Sequence, residues 1–427
     1  MAQLKDDCFA FGGDLTPLDE ALAAMHERIA VVTEPREMAV DQALGHILAD
    51  TIIAPRNVPP HDNSAVDGYA VYFDDLDPEK PTRLPFTGRI AAGHPLERPA
   101  VHGEALRIFT GAPMPVGAEG TQKSGPDTVF MEEDVTVDGD TAVFPPGLKR
   151  GANRRDAGED INEGAEILRR GDRLRPQDLG LAASIGMATL PVYSPLRVAI
   201  FSTGDEIRDP SGDAPEGCVF DANRFTIKGL LNGLGCTVTD LGILGDNQAD
   251  IEQALVNAAS GHDLLITSGG VSAGEEDHVK SAVEAHGTIH NWRLAIKPGR
   301  PIALGQVKGA AFVGLPGNPV AAMVTFMVLA RPLILWMSGA RKVGVHHYGV
   351  TAGFAYKKKS GRREWVRVRL EKSTTNESMV AYKDNSSGAG ILTSMVAADG
   401  LVELPEDVET VSIGDHVSYL PFSEVMG

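Results

Sequence analysis

Between residues 196 and 338 short apolar runs alternate with helix-like segments, and this alternation limits the fold more than any other feature of the chain. The expected strands are Arg197–Ser202, Thr237–Leu244, Leu264–Thr267, Ile302–Leu304 and Ala311–Val313. The expected helices are Arg224–Leu234, Gln248–Ser260, His278–His286 and Asn318–Leu329. Alternation at this spacing predicts a mostly parallel, doubly wound sheet with helices on both faces. Such sheets take their ligands in the loops at the carboxyl ends of the strands.

The flanking segments have a different texture. Leu18, Ala21, Leu22, Met25 and Ile29 recur at helical spacing, so residues 15–49 read as mainly helical. From 52 to 148 short β-type runs such as Arg107-Ile108-Phe109 and Thr128-Val129-Phe130-Met131 lie between Gly/Pro turns, which predicts a compact β domain. Residues 150–190 read as loops with a helix at Pro176–Ile185. After residue 343 the runs Glu364–Leu370, Met379–Tyr382, Leu401–Leu404 and His416–Leu420 predict a small β barrel or sandwich. The 47 glycines and 27 prolines agree with a mixed, turn-rich multidomain α/β architecture rather than a helix bundle.

Nearly every loop after a predicted strand carries polar chemistry. They are Thr203-Gly204-Asp205-Glu206, Gly245-Asp246-Asn247, Thr267-Ser268-Gly269-Gly270-Val271-Ser272 and Gly314-Leu315-Pro316-Gly317-Asn318-Pro319. Strand-to-helix turns also use Gly, Asp and Asn for backbone geometry and capping, so each loop alone has a structural explanation. Together they suit a phosphate. Ser268, Gly269 and Gly270 offer backbone N–H groups and a hydroxyl near a helix N-terminus. Asp246 and Asp277 are the expected ligands of one Mg²⁺, which is usually held by one or two carboxylates plus phosphate oxygens. For Asp277 an N-cap role competes. Glu275 and Glu276 read as a solvated pair.

Trp292-Arg293-Leu294-Ala295-Ile296-Lys297-Pro298-Gly299-Arg300-Pro301 is a basic, proline-braced segment in a chain of formal charge −19. Lys297 and Arg300 are its candidate oxyanion ligands. The same net charge argues against broad binding to nucleic acid or anionic membrane. Cys8, Cys218 and Cys236 form neither a zinc spacing nor a disulfide framework, which fits a reducing cytoplasm. Val320–Met337 resembles a membrane span, but Arg331-Pro332 interrupts it, and a buried helix is expected instead. In Pro59-Pro60-His61-Asp62-Asn63-Ser64-Ala65-Val66-Asp67-Gly68, Asp67-Gly68 reads as a turn that exposes a carboxylate, and His61 reads as structural. No nucleophilic triad or histidine metal cluster emerges.

These segments together resemble the molybdopterin molybdenumtransferase family, which includes the E domain of gephyrin. DNSAVDGYAV (62–71), RIFTGAPMPVGAE (107–119), STGDE (202–206), DANR (221–224), SGGVSAGEED (268–277), KPGRP (297–301), GLPGNPV (314–320) and GRREWVR (361–367) occur in the family's order. The resemblance implies four domains: a split elongated helical domain (1–51 and 149–190), an inserted β domain (52–148), an α/β molybdopterin-binding domain (191–338) and a C-terminal β barrel (339–427). It implies a cytoplasmic homodimer, with other proteins of molybdenum-cofactor synthesis as partners. It also implies a reaction in which adenylylated molybdopterin and molybdate bind with Mg²⁺, molybdenum enters the dithiolene, and AMP leaves.

By the same resemblance, Asp67, Thr110, Glu206, Lys297 and Arg300 are the catalytic candidates. Ser268, Gly269, Gly270, Ser272, Pro298, Arg363 and Arg367 are the candidates for binding pterin and oxyanion, and Asp246 and Asp277 for Mg²⁺. The chain departs from the family pattern at Asp156, where an arginine is usual, at Ala389 in Ser387-Gly388-Ala389-Gly390, where a serine is usual, and in a longer loop at 117–128. Two other readings share these motifs: a molybdopterin-binding paralogue without insertion activity, and a molybdopterin adenylyltransferase.

Overall fold

The computed structural model describes residues 15–270, 278–373, 378–384 and 388–426. The chain divides into two compact units, one of Met1–Asp50, Arg170–Arg175 and Leu190–Gly427, the other of Thr51–Arg169 and Pro176–Thr189.

In the first unit a six-stranded sheet runs in the spatial order Thr237–Leu244, Arg197–Thr203, Leu264–Ser268, Ala310–Leu315, Pro301–Val307, Gly287–Arg293. The first four strands are parallel, and Pro301–Val307 runs antiparallel to both its neighbours. The central strands are buried along nearly their whole length, as a sheet covered on both faces requires, and successive side chains face opposite cores. Val198, Ile200, Leu264 and Ile266 share a core with Ile227, Leu230 and Leu231 of the helix Asn223–Gly233. Ala199, Phe201 and Leu265 face the opposite way, against Ile251 and Leu255 of Gln248–Gly261 and Val279 and Val283 of His278–His286.

The last helical run, Pro319–Met337, is apolar enough for a membrane, with mean hydropathy 1.9, but 94% of it is buried inside the protein, as expected from its broken sequence. Pro332 has no N–H for the carbonyl four residues before it. The helix widens to a π turn at Phe326–Ala330 directly ahead of Arg331-Pro332 and continues to Met337.

One expectation is corrected here. Residues 15–49 contain one short α-helix, Leu18–His26, then a strand, Pro35–Ala39, and a 3-10 turn, Val40–Gln42, because Pro35 and the β-branched Val31-Val32-Thr33 end the helical pattern. Between 149 and 190 the only helix among the described residues is Pro176–Ser184, in agreement with the helix expected at Pro176–Ile185. Helix content in these segments is modest. Gly287–Arg293 is a strand that the apolar pattern does not predict, since its His and Asn break the alternation. It nonetheless pairs in unbroken register from Gly287↔Val307 to Arg293↔Pro301.

The C-terminal strands close on themselves in the order Arg363–Lys372, Met379–Lys383, Tyr348–Ala352, His416–Pro421, Gly400–Leu404, and back to Arg363–Lys372. The result is a five-stranded barrel around Val350, Val366, Val368, Ala381, Val402 and Val417. A two-residue strand, Ile296–Lys297, adds to it in parallel, with Ile296↔Arg363 and Lys297↔Glu364.

The second unit holds a six-stranded sheet in the order Thr128–Met131, Gly68–Val71, Ala105–Ile108, Thr82–Ile90, Thr141–Phe144, Thr136–Asp138. Gly68 begins a strand rather than a turn. A Cβ there would lie 1.7 Å from the carbonyl oxygen of Phe130, so only glycine permits this pairing.

Back in the first unit, Arg224 ties the first helix to the sheet edge. Its guanidinium is 6% exposed and donates to Asp221 at 2.9 Å, to both carboxylate oxygens of Asp240 at 2.7 and 2.8 Å, and to Asp209 at 2.6 Å. Burial works against the cation, but these acceptors outweigh it and raise its pKa. Replacing Arg224 by Leu leaves the buried Asp221 carboxylate without its cation. Urea denaturation should then show a loss of about 3–5 kcal/mol, whereas a loss under about 1 kcal/mol would show that the network is dispensable.

Candidate functional site

The carboxyl ends of the four parallel strands lie level. Thr203 pairs with Leu244, Ser202 with Ser268, and Ser268 with Leu315. The loops that begin at Gly204, Gly245, Gly269 and Pro316 therefore leave from one edge. Strand order reverses across Arg197–Thr203 and Leu264–Ser268, because the first crossover goes to one side and the second to the other. This is the switch point where doubly wound sheets bind ligands.

At that point Gly269 and Gly270 have φ of +91° and +64°. A Cβ on residue 270 would lie 2.5 Å from Thr203 Oγ1 and 2.9 Å from Val279 Cγ2. The turn is thus built for backbone exposure with no side chain in the way. The Gly269 N–H is used by the Leu315 carbonyl at 3.1 Å, while the Gly270 N–H has no acceptor among the described residues. Ser268 supports the turn: its hydroxyl donates to the Pro316 carbonyl at 3.0 Å and accepts from Asn223 Nδ2 at 2.7 Å. Asn223 Nδ2 also donates to the Gly317 carbonyl at 2.7 Å, clamping the two loops together. The sequence pattern assigns the Ser268 hydroxyl to phosphate; in the fold it is committed to protein. Nearby, Thr203 Oγ1, Ser202 Oγ and Thr267 Oγ1 are buried with no partner among the described residues.

The acidic rim is in place at the next two loops. Asp246 Oδ2 accepts the Asp205 N–H at 3.1 Å, and Asn247 Oδ1 caps the following helix through the N–H groups of Ala249 and Asp250. Glu206 folds back over Gly204, where a Cβ would lie 2.6 Å from Glu206 Oε2. Ser272, Glu275, Glu276 and Asp277 lie outside the described residues.

Beside this edge is a cavity of about 350 Å³ whose lining includes Lys297, Pro298, Gly317, Tyr356, Glu364, Arg367, Lys383, Asp384 and Ala389. The loop after Leu315 is thus shared: one side meets the glycine turn, the other lines the cavity. Lys297 Nζ donates to Glu364 Oε2 at 3.1 Å, and Tyr356 OH donates to the same oxygen at 2.8 Å. Arg362 Nε takes the other oxygen at 2.6 Å. Glu364 is 1% exposed. Burial alone would raise its pKa, but the bonds from Tyr356 and Lys297 outweigh it and hold the carboxyl below its ordinary value. Lys297 moves the opposite way: desolvation opposes its charge, yet Tyr356 and Glu364 raise its pKa.

Arg367 donates to the Gly388 carbonyl at 3.0 Å and to Ser394 Oγ at 2.7 Å, and burial lowers its pKa. Glu364, Tyr356 and Lys383 also line this cavity, and sequence reasoning misses them. Glu364 and Tyr356 are visible only once the barrel brings their strands to Lys297, and Lys383 has no motif of its own.

Other candidates fall elsewhere. Arg300 is exposed and does not line the cavity. Arg363 points to a separate apolar cavity, where it pairs with Asp19 at 2.8 Å, Glu406 at 3.1 Å and Glu403 at 3.4 Å. Ala389 lines the cavity and its carbonyl accepts the Val320 N–H at 3.0 Å; Ser386 and Ser387 lie outside the described residues. In the second unit, Asp67 Oδ1 accepts both the N–H and the hydroxyl of Thr110, each at 2.7 Å, and these bonds hold its pKa below the usual carboxylate range. Arg89 and Arg107 stack on Phe109, 4.6 and 5.1 Å from its ring centre. Asp156 pairs with Arg154 at 2.8 Å.

A glycine turn at a switch point, beside a cavity lined by three cations and closed by a small barrel, is the arrangement of an α/β protein whose sheet edge suits an anionic ligand. Three family models match in order: the MoeA N-terminal region (domains I and II) over residues 16–186, a probable molybdopterin-binding domain over 199–336, and the MoeA C-terminal region (domain IV) over 350–422. The chain is 38% identical to the molybdopterin molybdenumtransferase of Haemophilus influenzae, over 96% of this chain and 99% of that one. It is 32% identical to molybdopterin molybdenumtransferase 2 of Mycobacterium tuberculosis, over 91% and 96% of the two chains. Its fold is similar to the crystal structure of the molybdopterin biosynthesis MoeA protein from Pyrococcus horikoshii, with a TM-score of 0.81, 26% identity, and coverage of 96% and 100%. The chain belongs to the molybdopterin molybdenumtransferase family and is a transferase.

Two substitutions test the turn. Gly270→Ala should cost about 1–3 kcal/mol through its positive φ and the contact with Thr203, while Gly317→Ala, whose nearest neighbour is 3.8 Å away, should cost under about 1 kcal/mol. Equal effects by chemical denaturation would show that glycine is not required at position 270.

A pH series tests Glu364. Because its folded pKa is depressed, the stability it contributes is present above the ordinary carboxylate value of about 4.3 and is lost as pH falls through the lower folded value. The stability gap between the wild-type protein and Glu364→Gln should therefore be full at neutral pH and shrink on acidification below about pH 4. A gap independent of pH would show that the carboxylate is not charged in the fold.

Proposed function

We propose that this enzyme inserts molybdenum into adenylylated molybdopterin, with Mg²⁺-dependent release of AMP, to give active molybdenum cofactor. The observation that carries this reading is the shared loop Pro316-Gly317-Asn318, which belongs to both the glycine turn and the cationic cavity. One ligand can lie across it, with a phosphate on the turn and its reacting end toward the cavity. The Gly270 N–H and the adjoining turn bind the phosphate of the pterin. Lys297, Arg367 and Lys383 receive molybdate as substrate, and their fixed charges stabilise the negative charge that develops as the phosphoanhydride is cleaved.

The donor set of the acidic rim suits a hard cation. Asp246 engages Asp205 through one oxygen, leaving Oδ1 for a ligand. Asp277 is the second expected carboxylate, and substrate phosphate and water would supply the remaining ligands. Bound there, Mg²⁺ would neutralise phosphate charge. The enzyme works as a homodimer in which the Asp67–Thr110 pair of one protomer completes the cleft of its partner, as the family resemblance implies.

Lys297→Ala should raise the molybdate concentration for half-maximal cofactor formation by about tenfold or more, the equivalent of one lost charge-assisted contact. Affinity for the pterin, followed by its own fluorescence, should change little. An unchanged molybdate dependence would remove Lys297 from the oxyanion site.

A further inference from the structure

Lys297 does not meet Glu364 alone. Its Nζ donates to Glu364 Oε2 at 3.1 Å and to the Tyr356 hydroxyl at 3.2 Å, and that hydroxyl lies 2.8 Å from the same carboxylate oxygen. The three atoms form a closed triangle in which every role is forced. A carboxylate only accepts and an ammonium only donates. The single phenolic hydrogen therefore goes to Glu364, and the phenolic oxygen accepts from Lys297.

An ammonium held by one acceptor can still turn about that bond, because its three donors are rotatable. A second acceptor stops the turn and sets the direction of the N–H that remains. The third N–H of Lys297 has no acceptor among the described residues, and the side chain, 45% exposed, lines the cavity. Tyr356 thus supplies what Glu364 by itself cannot, a fixed rotation. The phenol is held firmly enough for this. It lies on the two-residue strand Tyr356–Lys357, paired with Thr410–Val411, and its ring meets that of Phe354 edge-on with centres 6.5 Å apart. Phe354 belongs to the barrel core. Glu364 keeps the bonds from Tyr356 and Arg362 when Lys297 shares its charge with a ligand. Tyr356 precedes GRREWVR and belongs to none of the segments that carry the family resemblance.

We propose that Tyr356 is a positioning residue for oxyanion capture: its hydroxyl fixes the rotation of the Lys297 ammonium, so that the remaining N–H meets the anion in the cavity. This role presupposes that Lys297 receives molybdate. The donor is set before the anion arrives, which spares the ordering that a freely turning ammonium would need on binding.

The test is the molybdate dependence of cofactor formation from adenylylated molybdopterin, for the wild-type protein, Tyr356→Phe, Lys297→Ala and the double variant. Tyr356→Phe removes one oxygen and keeps the ring. It should raise the half-saturating molybdate concentration about three- to tenfold, the equivalent of one hydrogen bond. In the Lys297→Ala background the same change should shift that concentration by less than about twofold, because the hydroxyl acts through the lysine. Partial loss of folded protein lowers the rate at saturation but not the half-saturating concentration, so a purely structural role would leave this value in place. An unchanged value in Tyr356→Phe, or an equal rise with and without Lys297, would overturn the positioning role and leave the proposed reaction standing. Cofactor formation by the wild-type protein that is independent of molybdate would overturn that reaction, and the role of Tyr356 with it.

Discussion

Glu364 is the point on which the arrangement of the cleft depends. Its carboxylate is almost wholly buried, yet it receives a lysine, a phenol and a guanidinium from three different positions of the chain. An isolated charge there would be strongly disfavoured, and truncating one partner of such a buried pair typically costs several kcal/mol. The same residue sits in the short parallel ladder that joins Ile296–Lys297 to the first barrel strand. Backbone pairing and ion pair together fix Lys297 at the cavity wall. The lysine is therefore not a free surface cation but one held in place, as preorganised electrostatic stabilisation requires.

The other half of the cleft depends on register. Parallel pairing brings Leu244, Thr203, Ser268 and Leu315 level at one sheet edge. Asn223 then clamps the Ser268 turn to the Pro316–Asn318 loop. The Ser268 hydroxyl, which looks like a ligand group in the sequence, is instead, with the Asn223 amide, the means by which the turn is aimed. What remains for a ligand is backbone: the Gly270 N–H and the space that glycine leaves.

Much of this is legible from residue pattern alone. The strand–helix alternation predicts the α/β sheet closely because strands buried on both faces are apolar and carry clear turn signals at their ends. The barrel strands from Glu364 onward are equally plain. The N-terminal region misleads because helical spacing at Leu18–Met25 invites extension past Pro35, where the chain turns to strand pairing. Gly287–Arg293 is hidden because its pairing with Pro301–Val307 comes from tertiary register rather than from apolar alternation. At the site, motifs point to Lys297, Gly269, Gly270 and Arg367, but they do not tell inward from outward arginines. Arg363 and Arg367 stand four residues apart on one strand, yet one is spent on Asp19 and Glu406 while the other lines the cavity. Glu364 is hidden for a related reason: its partner Lys297 is 67 residues away.

In the proposed function the glycine turn and the cavity serve one reaction. The most direct test is AMP release from adenylylated molybdopterin by the purified protein with Mg²⁺, in the presence and absence of molybdate. The expected result is release that depends on molybdate and yields a product able to activate an apo-molybdoenzyme. Tight pterin binding with no molybdate-dependent release would contradict it and leave a fold that binds the pterin without the chemistry.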